Sequence, residues 1–207
     1  MMKKIVASSL AMLLVLGFSL TEAQASVASY SLNNVFNGNA PTSASPWLTV
    51  AFEDVVGGVQ VTIASNLEVS SEFFDQIGFN VMGGGIASLS PGSMEVLSGA
   101  FVLPSFGSGV MQGTGGESYA ILLGFDNAPP ANRFNQTIDA VRFLLTGVNV
   151  TNNFTGIPPV GIAGDVQGIP VPGGGTTSGA VTTPIPAAVW LLGSGLIGLI
   201  GFRRFRK

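Results

Sequence analysis

Between residues 26 and 168 apolar side chains recur at every second position. Leu48, Val50 and Phe52 alternate with Thr49, Ala51 and Glu53, and Val59, Val61 and Ile63 alternate with Gln60, Thr62 and Ala64. A period of two puts one set on one face of a strand and the other set on the opposite face. Gly57-Gly58 lies between the two runs, which therefore read as a hairpin. Further strands are expected from Phe73 to Met82, Glu95 to Leu103, Tyr119 to Phe125 and Ile138 to Leu145. In the last of these Val141, Phe143 and Leu145 share one face while Arg142 points away. No segment before residue 183 sustains a 3.6-residue period with good helix formers.

Short strands, 29 glycines and 12 prolines predict an all-β fold. The expected architecture is a single antiparallel β-sandwich, its two sheets about 10 Å apart across one apolar core. Gly83-Gly84-Gly85, Gly113 to Gly116 and Ala128-Pro129-Pro130 read as loops between strands. From Pro158 the chain becomes rich in Gly, Pro and Thr, and Gly173-Gly174-Gly175-Thr-Thr-Ser-Gly179 has the composition of a flexible tether. The expected division is a β ectodomain over 26–168 and a linker over 169–183. There is no cysteine, so no disulfide framework is available. About 140 ordered residues are enough to build one core without it.

The two ends of the chain break the pattern. Lys3 and Lys4 precede an apolar run from Ile5 to Leu20, and Ala23-Gln24-Ala25 supplies a small-x-small cleavage site. Residues 1–25 therefore read as a signal peptide, with Ser26 the first residue of the mature chain; a retained N-terminal helix is the alternative. At the other end, Ala187 to Phe202 is an uncharged helix-length run, followed by Arg203, Arg204, Arg206 and Lys207. Counted from Ile185, the run spans roughly 27 Å as a helix, close to a hydrocarbon core of about 30 Å. A basic end belongs on the cytoplasmic side, and Pro184 and Pro186 stop the helix from extending backwards.

The order of these tail features, Thr183-Pro184-Ile185-Pro186-Ala187, then Val189-Trp190-Leu191-Leu192-Gly193-Ser194-Gly195-Leu196, then the basic end, resembles the PEP-CTERM sorting signal in its VPLPA variant. Thr stands for the leading Val and Ile for the Leu between the prolines. The resemblance covers about 25 of the 207 residues. It implies export through the inner membrane of a Gram-negative cell, removal of the leader by signal peptidase, and recognition of the tail by exosortase. It further implies cleavage near Pro184, Ile185, Pro186 and Ala187, then a surface or extracellular location, with a role around exopolysaccharide and biofilm. A plain single-span membrane anchor is the alternative. Ala163-Gly-Asp-Val-Gln-Gly-Ile169 followed by Ser178-Gly179 is similar to the all-β ectodomains often joined to such tails, except that Asp165 stands where His is usual.

Charge is segregated. Of the 8 Lys and Arg residues only Arg133 and Arg142 lie between the terminal segments, against 10 Asp and Glu, a balance of −8. An acidic ectodomain lacks the basic face that nucleic-acid binding needs. With no His and no Cys, Ser-His-Asp triads, His metal sites and thiol nucleophiles are excluded. Gly113-x-Gly115-Gly116 lies outside any strand–helix context for phosphate binding. Glu53 and Asp54 are neighbours that a strand points to opposite faces. Glu68, Glu72 and Asp75 read as solvated charges around a turn. Asp126, Asn127 and Asn132 carry oxygen ligands of the kind Ca²⁺ takes, without EF-hand or RTX spacing. Trp47, Tyr30 and Tyr119 would suit stacking on sugar rings, but their places in the alternation favour core or edge packing. Asn135, Asn149 and Asn153 open Asn-x-Thr triplets.

Taken together, the residues lead to the expectation of a non-enzymatic surface or matrix protein without cofactor or metal. A carbohydrate-binding or adhesion module is the alternative.

Overall fold

The computed structural model describes residues 25–84, 87–128, 130–135, 139–157 and 161–184. Its centre is the expected hairpin: β3 (Leu48–Val55) pairs antiparallel with β4 (Gly58–Ser65), Val50 opposite Ile63 and Phe52 opposite Val61. The register pairs Val55 with Gly58, so the turn residues are Val56 and Gly57, with Gly57 at φ +97°. Gly58 is needed for a different reason: a Cβ there would lie 1.9 Å from the Leu145 carbonyl oxygen.

Two antiparallel sheets grow from this start. In the first, β1 (Val27–Leu32) flanks β3, and β10 (Ala140–Thr146) flanks β4. The far side of β10 is shared by two short strands, β6 (Ser88–Leu89) and β7 (Glu95–Ser98). The second sheet runs in the order β2 (Asn34–Gly38), β12 (Thr176–Thr182), β11 (Ile162–Pro170), β5 (Phe73–Phe79), β9 (Ser118–Gly124) and β8 (Ser105–Val110). The one α-helix among the described residues is a single turn, α1 (Val150–Asn153), capped by the Asn149 side chain accepting from the Asn152 N–H.

The sheets face each other across one apolar core, as sandwich packing requires. Phe52 and Phe143 from the first sheet meet Phe79 from the second, with ring centroids 5.4 Å apart for Phe52–Phe79 and 6.4 Å for Phe79–Phe143. Phe154, just after α1, stacks on Phe52 at 4.3 Å. A second aromatic nest joins Phe125 to Phe134 at 4.6 Å and Phe101 to Phe134 at 4.8 Å. Each such pair is worth about 0.5–1.5 kcal/mol beyond the area it buries.

Three expectations are corrected. The run from Glu95 to Leu103 is not one strand. It breaks at Gly99, whose φ of +97° turns the chain off the first sheet, and Phe101 enters the core before β8 begins in the second sheet. The strand expected to reach Met82 ends at Phe79, and Met82–Gly84 form a 3-10 turn. The largest correction concerns 169–183. Those residues form the end of β11 and the whole of β12, which is hydrogen-bonded on both sides, to β11 and to β2. The glycines that suggested a tether supply the hairpin turn, with Gly173, Gly174 and Gly175 all at positive φ.

No helix among the described residues is long and apolar enough to cross a membrane. The apolar runs expected at the two ends fall on 1–24 and 185–207, outside the described residues.

Candidate functional site

The outward face of the second sheet carries its unusual polar chemistry. Strand register lines up Asn37, Ala180, Asp165, Gln76, Gly124 and Ser105 across six strands. At one end of this row lies a concavity of ≈ 370 Å³ lined by Asp75, Gln76, Leu103, Ser105, Gly124, Phe125 and Asp126. Its two carboxylates are already engaged. Asn127 Nδ2 donates to Asp75 Oδ1 at 3.1 Å, and the Ala128 N–H and Asn132 Nδ2 donate to Asp126 at 3.0 and 3.3 Å. Arg133 Nε donates to the Asn127 carbonyl, and its guanidinium sits 4.2 Å over the Phe73 ring. The expected Asp126–Asn127–Asn132 group is thus brought together, but its polar atoms are spent on Asp75, on the Ala128 N–H and on each other. Among the described residues no group of three or more His, Cys, Asp or Glu is arranged to hold a metal ion.

In the middle of the same row, the Asp165 carboxyl has no access to solvent. Gln167 Nε2 donates to Oδ2 at 2.8 Å, while Oδ1 has no hydrogen-bond partner. Burial is the main cause that pushes this carboxyl up to about 6; the Gln167 bond opposes the rise and the Asp75 charge adds to it. The cover is the loop between β8 and β9. Gly113 lies directly over Asp165, and its carbonyl accepts from Asn37 Nδ2 at 3.0 Å. The neighbouring Gln112 N–H donates to Gln76 Oε1 at 2.9 Å.

Beside Asp165, Met111, Tyr119 and Ala163 form a small buried cluster separate from the main core. The Tyr119 ring rests on Gly78, where a Cβ would lie 2.5 Å from it. Tyr119 Oη is buried with no well-formed hydrogen bond, and desolvation, with the Glu117 charge adding and the nearby Thr114 hydroxyl opposing, raises its phenol to about 12.

The other candidates resolve into structural roles. Glu72, expected to be a solvated turn charge, is fully buried. Its carboxylate takes the Thr42 and Ser43 hydroxyls at 2.7 Å each, together with both residues' backbone N–H groups. Glu68 is exposed as expected. Glu53 is exposed, whereas Asp54 accepts from the Val150 N–H at 2.8 Å, so the two are no catalytic pair. Trp47 is buried, with Nε1 donating to the Ser43 carbonyl, and Tyr30 Oη donates to the Phe154 carbonyl. Asn149 caps α1, while Asn153 and Asn135 are buried and bind the Met82 and Ser70 carbonyls.

Of the residues expected to be processed, Ala25, Ser26 and Pro184 are described, Pro184 being exposed. Ala23, Ile185, Pro186, Ala187, Arg203, Arg204, Arg206 and Lys207 lie outside the described residues. Sequence reasoning missed Asp165 and Glu72 as buried carboxylates. The signal for Asp165 was an acid inside an otherwise small and apolar run, Ile162-Ala-Gly-Asp-Val166, once that run is taken as a strand. Comparisons with family models, with curated proteins and with solved structures find no match to this chain.

Proposed function

We propose that this chain is an exported, non-enzymatic surface or extracellular-matrix protein whose C-terminal tail is a sorting signal read by exosortase. Its β domain then acts outside the cell, around exopolysaccharide. The observation that carries the reading is the position of the first and last strands among the described residues. β1 begins at Val27, two residues after the leader cleavage site at Ala25, and β12 ends at Thr182, two residues before the motif proline Pro184. The expected leader cleavage site and the motif proline thus flank the first and last strands of the described sandwich. The net charge of −8 between them suits a soluble surface protein that repels its own copies.

The aromatic inventory supports this reading over a sugar-binding module. Sugar platforms present exposed rings in a row. Trp47 and Tyr119 are buried, and among the described residues Phe36 is the one aromatic in the set of exposed large hydrophobics. A catalytic role finds no pair of freely placed carboxylates in the ≈ 370 Å³ concavity.

Intact-mass analysis of the protein from a native exosortase-bearing cell tests the proposal. A mature mass beginning at Ser26 and ending near Pro184–Ala188 is expected. A mass that retains Arg203 to Lys207 overturns the sorting reading in favour of a plain anchor.

A further inference from the structure

The buried Asp165 carboxyl and the loop that covers it form a pair that no part of the proposed sorting role uses. We infer that the β8–β9 loop, Gln112 to Glu117, is a pH-operated strap: it lies closed over Asp165 while that side chain is protonated and lifts from the sheet when it ionises.

The geometry carries the argument. Gly113 packs so tightly over Asp165 that a Cβ on it would lie 2.8 Å from Oδ1. Closed, the strap leaves Oδ1 without water and without a donor. A neutral acid tolerates that placement; a carboxylate does not, because burying an unpaired charge costs far more than burying a hydroxyl. The groups facing Asp165 offer no compensation. Gln167 on its own strand gives one neutral hydrogen bond. On β5, Gln76 spends its side-chain oxygen on the strap, and Asp75 is of like charge. On the β12 and β2 side stand Ala180 and Asn37, and at the strap's far end Glu117, another acid, precedes Tyr119. Both arginines of the domain are engaged elsewhere, Arg142 with Glu95 and Arg133 with Asn127 and Phe73.

The strap is also built to move as a unit. Gly113, Gly115 and Gly116 all adopt positive φ, and a Cβ at Gly115 or Gly116 would meet nothing within 4 Å. Its polar ties to the sheet include two single hydrogen bonds, from Asn37 and to Gln76. Lifting it would expose Met111, Tyr119 and Ala163, whose cluster is separate from the main core. The sandwich would keep its own aromatic interior.

Hydrogen exchange on the full-length chain in detergent micelles, corrected for the intrinsic pH dependence of exchange, reads the strap directly. Protection of residues 112–117 is expected to fall by up to about a hundredfold between about pH 4 and pH 7.5. That is the fold-change linkage gives for a carboxyl raised from 3.8 to about 6 in the closed state. Peptides from β4 and β10 should hold their protection. In Asp165→Asn the strap should show no such fall.

Gln167→Leu removes the one hydrogen bond that favours the ionised form, so it should move the wild-type midpoint to higher pH. This variant serves as the arbiter if Asp165→Asn does not fold. The inference is overturned by wild-type protection that is flat across the range. An equal fall in Asp165→Asn, a parallel fall in β4 and β10, or an unmoved midpoint in Gln167→Leu would overturn it equally.

Discussion

Ser43 Oγ donates to Glu72 Oε2 at 2.7 Å, across 29 residues of chain and out of contact with water. The same hydroxyl oxygen accepts from the Glu68 and Val69 N–H groups, so Ser43 ties the loop before β3 to the loop before β5. A buried carboxylate that takes two hydroxyls and two amides is satisfied, and hydrogen bonds to a charged acceptor are about twice as strong as neutral ones. Glu72 is therefore a structural clasp.

Glu72→Gln offers the same shape without the charge and turns an amide NH₂ toward donors. It should lower stability by about 1–2 kcal/mol, and Glu72→Ala by about 2–3 kcal/mol, since the buried Ser43 then loses its acceptor while the exposed Thr42 can turn to water. Urea unfolding of both variants checks this. A loss under about 0.5 kcal/mol for Glu72→Ala, the size usual for surface sites, would show that the clasp carries no weight.

Asp165 predicts the opposite pH trend from an ordinary paired carboxylate. Its folded pKa is raised from 3.8 to about 6, so the folded chain keeps a proton that the unfolded chain has released. The stability it contributes is complete below about pH 4, is lost as pH rises through about 6, and is level above that. For this one group the change is on the order of 2–3 kcal/mol, less to the extent that the covering loop yields. Comparing wild type with Asp165→Asn at pH 4 and pH 7.5 isolates the term. The difference between the two proteins should shift in favour of Asp165→Asn as pH rises, and a constant difference would refute the assignment.

Tyr119 carries the same sign at the alkaline end. Its phenol is raised to about 12 by burial, so its contribution to stability falls as pH climbs from 10 through 12. The chain has two tyrosines. In a Tyr30→Phe background the ultraviolet tyrosinate signal therefore comes from Tyr119 alone. It should develop near pH 12, or earlier only together with unfolding; titration near pH 10 in a folded chain contradicts a buried phenol.

The parts of the fold legible in the chain are those where large and small side chains alternate. Leu48, Val50 and Phe52 announce β3, and Val141, Phe143 and Leu145 announce β10, because each strand has one face in the core and one outside. β11 and β12 were illegible for a physical reason. They lie deep within the second sheet, where close neighbours demand small residues: a Cβ on Gly179 would meet the Asn39 carbonyl oxygen at 1.9 Å, and one on Gly164 would meet the Phe74 ring at 2.7 Å. Glycines that serve packing look, in composition, like glycines that serve flexibility. The misreading of this region hid Asp165 as well, since its facing depends on β11 being a strand. Glu72 was hidden differently: its partners Thr42 and Ser43 are about 30 residues away, and no local pattern links them.

Gly99 gives a sharp test of why the expected Glu95–Leu103 strand breaks. Its φ is +97°, and a Cβ there would lie 2.0 Å from Asp139 Oδ1. Asp139 is itself committed, with Oδ2 accepting from the Asn135 N–H at 2.9 Å. Gly99→Ala therefore meets both backbone strain and a fixed carboxylate, and should cost about 2–4 kcal/mol. Gly115→Ala has a similar φ of +73° but no neighbour within 4 Å, so about 1 kcal/mol is expected. Thermal melts of the pair separate steric from conformational cost, and equal losses would remove the Asp139 contact from the explanation.

The strand assigned to 176–182 can be tested against the tether that its composition suggests. A chain running from Ser26 to Pro184 keeps β12 and every ladder bond it makes. A chain ending at Val171 strips β11 and β2 of the partner between them, leaving two rows of backbone groups unpaired on faces that were interior to the sheet. It also loses the Val181 side chain from the core and the hydrogen bond from Thr182 Oγ1 to the Ile162 carbonyl. A tether contributes nothing to folding, so its removal would leave the unfolding transition unchanged. An interior strand is required, and the shorter chain should lose cooperative unfolding altogether. The same geometry bears on the proposed sorting. Thr182 and Thr183 are buried, and the Thr182 carbonyl accepts from the Asn33 N–H at 3.2 Å, so the end of β12 is not free to enter a protease cleft as an extended segment. The mature C-terminus should therefore fall at or beyond Pro184, and a terminus mapped between Val171 and Thr182 would mean that β12 opens before cleavage.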